Sequence, residues 1–221
     1  MFPKSLDLLY VARTLTIGAA AATFFGTLWI VNGINAAYTS ALVAFVLFAI
    51  LALLTLGLAI ACIRLFTTAR SFTPSGDQQA MKHANRYINI ATVVQIVANV
   101  AGSALLMLWG HADLVLPETV LTVGLYLLAL APLLRIPHYY LVGGFLTVLP
   151  IASVLCVPAT ILVAEEALQS WTVINGIVCG LAFLGLGAMN ILLTARIRRG
   201  QYQQNGQAFV VQRSYSGLLK G

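Results

Sequence analysis

The chain has 221 residues, 60% of them hydrophobic and only 8% charged, where an ordinary soluble domain has roughly 45–50% and 25%. That balance excludes a soluble fold. The formal net charge of +6 would suit a nucleic-acid binder only if the cations gathered on one soluble face. They lie instead between apolar runs, so no nucleic acid is expected as a partner.

A membrane-spanning helix takes about 20 mainly apolar residues, and six runs reach that length: roughly 14–31, 37–63, 88–109, 116–134, 140–163 and 172–195. The predicted fold class is all-α, a polytopic integral membrane protein of six transmembrane helices in a single domain, 1–195, followed by a cationic tail, 196–221. Lys4 and Arg13 precede the first run as they would in a secretory signal. The run is longer than the roughly 7–15 apolar residues of a signal core, so it reads as a retained signal anchor.

All twelve Lys and Arg fall on one side of these runs: Lys4 and Arg13 before the first, Arg64, Arg70, Lys82 and Arg86 between the second and third, Arg135 between the fourth and fifth, and the rest after the sixth. The other side receives Asp113, Glu118, Glu165 and Glu166. Because cations stay on the cytoplasmic side, both termini are expected to be cytoplasmic, in a bacterial inner membrane or a plasma membrane. Trp29, Tyr38, Trp109 and Trp171 mark outer ends of runs and Tyr10, Tyr87, Tyr139 and Tyr140 inner ends, as an aromatic belt requires.

The segment between the second and third runs holds a turn cluster, TPSGD, and then DQQAMKHANRY, which predicts a short helix leading into the third span. The tail is rich in amides and cations and has no acid. It is expected to be flexible, with anionic lipid at the cationic tail as a candidate partner. The other partners expected are the lipid bilayer itself and further subunits in a homo- or hetero-oligomer.

At 100° per residue, Asn89, Thr92, Gln95, Asn99 and Ser103 of the third run fall on one helix face about 140° wide. Unpaired amides in hydrocarbon cost several kcal/mol each, so this face is predicted to look into the bundle. In the sixth run Asn175 and Asn190 share a face with Cys179, Thr194, Gly176, Gly180 and Gly187. The Gly176–Gly180 spacing lets two backbones approach closely, and Gly18, Ala22 and Gly26 make a similar small-residue stripe on the first run. The two amide rows are expected to share one interior, serving either as a substrate path or as a helix seam. Pro150 and Pro158 predict helix kinks in the fifth run, of the packing kind or of the kind found at transporter substrate sites.

No Asp, Glu, Lys, Arg or His lies well inside a run, which disfavours a proton relay. Amides and carbonyls can ligate a hard cation, so sodium chemistry stays open. His83, His111 and His138 are scattered, and Cys62, Cys156 and Cys179 stand alone in apolar surroundings. No disulfide framework, metal cluster, cofactor or catalytic motif is therefore expected, and no enzyme activity. These observations predict a permease or substrate-binding membrane module for a small neutral or zwitterionic solute. The alternative is a non-transporting accessory or scaffold subunit of a membrane complex.

Overall fold

The computed structural model describes residues 8–37, 40–69, 78–163, 166–197 and 199. Its long helices are α1 (Leu8–Ala36), α2 (Ala41–Ala69), α3 (Gln78–Leu108), α4 (Val115–Leu134) and α5 (Pro137–Cys156), with α6 as the last span, Ser170–Ile197. All six are long and apolar enough to cross a membrane, so the chain is an all-α, multi-pass membrane protein. A 3-10 turn, Ala112–Leu114, leads into α4. The TPSGD cluster, and the tail beyond Arg199, lie outside the described residues.

Two elements differ from the sequence expectation. The polar lead-in from Gln78 to Tyr87 is not a separate helix but the first turns of α3, since nothing in QQAMKHANRY breaks a helix. The fifth span, expected to run to 163, stops at Cys156. Val157 is extended, with φ −122 and ψ 135, because a proline disfavours helical geometry in the residue before it. Pro158 therefore ends α5 and does not kink it, whereas Pro150 is inside α5 and buried.

The apolar residues after Pro158 form a strand. β1 (Thr160–Val163) pairs antiparallel with β2 (Glu166–Gln169), Thr160 opposite Gln169 and Val163 opposite Glu166. Thr, Ile and Val in sequence fit a pleated surface better than a helix end. The start of α6 pins the base of this hairpin. The Ser170 N–H donates to the Ala159 carbonyl at 3.1 Å, the Ser170 hydroxyl lies within hydrogen-bond reach of the Pro158 and Ala159 carbonyls, and Trp171 Nε1 donates to the Val157 carbonyl at 2.8 Å.

Short connections make consecutive helices antiparallel. The α4–α5 corner shows how: Arg135 takes a left-handed conformation (φ 54) and donates its N–H to the Ala131 carbonyl, and Pro137 then opens α5 at its first turn, where its missing N–H costs nothing. The bundle has a near end, where α1 begins, and a far end, which carries the α1–α2, α3–α4 and α5–α6 connections. Every described Lys and Arg is at the near end, while Asp113, Glu118 and Glu166 are at the far end.

Four helices make the centre. α4 packs along α5, and α6 lies against both and against α1. Leu15, Trp29, Val120, Leu127, Tyr139, Leu146, Cys179 and Phe183 belong to one buried cluster, with the Trp29 and Phe183 rings 4.8 Å apart. α2 leans on α1 and α3 on α4 as flanking helices. In the most apolar stretch of α3 nothing is buried, against 44% in α1 and in α6.

Where α1 and α6 cross, backbone meets backbone. A Cβ added to Gly180 would stand 2.8 Å from the Gly26 carbonyl oxygen, and one on Gly176 2.7 Å from the Trp29 carbonyl oxygen. The α4–α5 contact is as close, since a Cβ on Gly124 would meet the Thr147 nitrogen at 2.8 Å. Small residues suit a membrane bundle because helix association there rests on packing and not on a difference in hydrophobicity.

Candidate functional site

The far ends of α1, α4 and α6 enclose an open cleft of about 580 Å³. Asn32 and Asn35 reach it from α1, Thr119 from α4, and Gln169 and Thr172 from the junction of β2 with α6. Leu28, Trp29, Val115 and Leu116 supply its apolar surface, and none of the lining residues carries a charge. Local packing sets this geometry. Gly33 presses on α6, where an added Cβ would lie 2.8 Å from the Ile177 nitrogen, which fixes the tip of α1. Asn32 and Asn35, on either side of it, stay exposed. On the opposite wall the Thr172 hydroxyl lies 3.4 Å from Gln169 Oε1.

The polar row of α3 bonds to α4. The Thr92 and Tyr126 hydroxyls are 3.0 Å apart, Asn99 Nδ2 donates to Thr122 Oγ1 at 3.3 Å, and Ser103 Oγ donates to Glu118 Oε2 at 3.2 Å. Gln95 is half-buried between the first two of these rungs, and Asn89 is exposed. The exposure of Asn89 departs from the expected inward face and has a geometric reason. A hydrocarbon layer of about 30 Å takes up roughly 20 helical residues, and counted back from Leu108 this places Asn89 at the layer's edge.

The polar row of α6 bonds elsewhere. Asn190, fully buried, has His138 Nε2 3.0 Å from its Oδ1 and donates from Nδ2 to the Tyr139 hydroxyl at 3.2 Å. Thr194 reaches the Ala12 carbonyl of α1 at 3.5 Å. Asn175, also fully buried, donates from Nδ2 to Ser153 Oγ and to the Trp171 carbonyl, each at 2.9 Å. Its Oδ1 has no hydrogen-bond partner. Asn175 opens a turn of π-helix, Asn175–Cys179, a geometry that recurs at functional sites. It coincides with the closest approach of α1.

Among the described residues the α3 row thus bonds to α4, and the α6 row to α5 and α1. The sequence reading overlooked α4, where Glu118, Thr122 and Tyr126 recur every four residues and offer α3 its partners. It also missed the cleft amides. Asn32 and Asn35 sit at the end of the first apolar run, where polarity looks like an ordinary exit from the membrane. Among the described residues no three His, Cys, Asp or Glu side chains gather where they could hold a metal.

These features define a class, a six-helix membrane protein with a close-packed cluster where α1, α4, α5 and α6 meet and an uncharged cleft at one end. No family model, curated protein or solved structure matches the chain.

Proposed function

We propose that the protein is a solute-binding membrane module acting as a small permease, and that the far-end cleft takes a small neutral or zwitterionic solute. The observation that carries this reading is the lining itself: amides and hydroxyls around Trp29 and Leu116, with no fixed charge. A few polar groups on an apolar wall are the usual composition of a small-molecule site, and the volume falls within the roughly 300–1,000 Å³ such sites occupy. Amides offer both donors and acceptors, which suits a molecule without net charge. With the near-end cations in the cytoplasm, both termini are cytoplasmic and the cleft faces outward across a cell membrane.

Uptake into proteoliposomes, measured over a panel of neutral, zwitterionic and charged solutes, tests this. Asn35→Leu and Gln169→Leu are expected to abolish uptake of the preferred solute without lowering the thermal midpoint. Asn190→Leu, which leaves the Tyr139 hydroxyl and His138 unpaired in the core, is expected to lower the midpoint instead. Indifference to solute charge, or full uptake by both cleft variants, would contradict the proposal. The competing reading, an accessory or scaffold subunit, is favoured by the bonding of the α6 amides to neighbouring helices. It predicts no solute in any assay and a partner that copurifies.

A further inference from the structure

We infer that the cleft takes the headgroup of an amphiphile drawn sideways from the bilayer, an uncharged or zwitterionic lipid whose hydrocarbon chain lies along α1. The inference rests on the reading of the cleft as a ligand site and names the class of ligand. At 100° per residue, Ile17, Ala21, Phe24, Leu28, Asn32 and Asn35 fall on one face of α1 about 80° wide. All six are exposed. The three nearest the far end, Leu28, Asn32 and Asn35, also line the cleft, so the cleft runs without a break onto the open apolar surface of the helix.

Three observations fit an amphiphile better than a dissolved solute. First, the face changes character along its length, with amides at the far end and Leu28, Phe24, Ala21 and Ile17 after them. Phe24 is 64% and Ile17 62% exposed. The helix rises about 16 Å between Leu28 and Ile17, which matches one leaflet of a hydrocarbon layer about 30 Å thick. Second, the open face has a floor. Tyr10 falls on the same face of α1, yet it is buried, and its hydroxyl donates to Asn85 Oδ1 of α3 at 2.8 Å. α3 thus closes the face at the near end, and from Ile17 outward it is bare. Third, the cleft is at headgroup depth. Trp29 lines it, Trp109 and Trp171 stand at the same end of α3 and α6, and Trp gathers at the membrane–water interface.

The polar lining selects the headgroup. It holds no charge, so nothing there pairs with a headgroup of net charge. The amides of Asn32, Asn35 and Gln169 and the Thr119 hydroxyl supply donors and acceptors for hydroxyl, ester or zwitterionic groups. The chain plays a different part. Lipid tails are as apolar as leucine, so a chain against Leu28 gains little over one against another helix, and its effect is to hold the headgroup at the depth of the cleft. Selection by headgroup and placement by chain therefore fall to different residues of α1, which makes the two separable by mutation.

The thermal midpoint of the purified full chain in maltoside micelles, read against added amphiphile, tests the inference. Lysophosphatidylethanolamine, lysophosphatidylcholine and monoacylglycerol are compared with anionic lysophosphatidylglycerol and with the chainless compounds glycerophosphoethanolamine, glycerophosphocholine and glycerol. A saturable rise is expected with an uncharged or zwitterionic amphiphile, at lower concentration than with lysophosphatidylglycerol, and none with the chainless compounds. Ala21→Trp, which obstructs the chain below the cleft, should raise the concentration for half the effect roughly tenfold, the scale of one misfitting side chain. Ala52→Trp, on the exposed face of α2, should leave it unchanged, and Asn35→Leu should remove the preference over lysophosphatidylglycerol. A rise with the chainless compounds alone leaves the cleft a solute site and overturns the amphiphile. A rise that survives both Ala21→Trp and Asn35→Leu, or that lysophosphatidylglycerol equals, is ordinary solvation of the helices and overturns it as well. No rise with any probe also overturns it, and the uptake panel then decides the cleft reading by itself.

Discussion

Along α1 and α6 the backbones touch, with Gly26, Gly33, Gly176 and Gly180 leaving no room for a side-chain carbon. Along α3 and α4 the contact runs through side chains, a row of hydroxyl, amide and carboxylate rungs about 3 Å long. Both seams join antiparallel membrane helices, yet they use different physics. The first gains from dispersion between close-packed atoms and excludes water. The second exchanges hydrogen bonds that a helix in lipid can also find with other partners, so each contributes only about 0.6 kcal/mol. A seam of the first kind builds the close-packed centre, and one of the second kind fastens a flanking helix to it.

Gly180→Ala is the strongest way to break that contrast. Its new Cβ would meet the Gly26 carbonyl oxygen at 2.8 Å and Ile30 Cγ1 at 2.5 Å, and overpacking of this sort costs about 1–3 kcal/mol. The matched control is Gly57→Ala on α2, where nothing lies within 4 Å and no loss is expected. Unfolding midpoints in one detergent check the pair, and equal stability would remove the rigid seam from the account. A much smaller effect is expected on the other seam. A double-mutant cycle of Thr92→Val and Tyr126→Phe should return a coupling of about 0.6 kcal/mol, and a coupling of several times that would make α3–α4 as rigid as α1–α6.

The number of spans and the glycine contacts were legible in the sequence, because apolar length and four-residue spacing are local properties of one helix. The Gly176–Gly180 pair needed no knowledge of its partner to be read as a close-approach surface. What the amides face was not legible. Helical periodicity places Asn99 and Ser103 on one side of α3, but which helix stands on that side depends on packing order. Here α4 takes that position, carrying Thr122 and Glu118. The hairpin was hidden for a related reason, since a short apolar run after Pro158 reads equally as the end of a span or as a strand. The cleft arises from the ends of three helices distant in sequence, and no single segment carries its signature.

The claim that the far end is open and the middle closed is tested most directly by labelling with a membrane-impermeant maleimide, in a background with Cys62, Cys156 and Cys179 replaced. Asn32→Cys should react from the side of the membrane opposite the C-terminus, and Asn190→Cys should react from neither side. Labelling of Asn190→Cys as fast as Asn32→Cys would mean a water path through the middle of the bundle and would contradict the account.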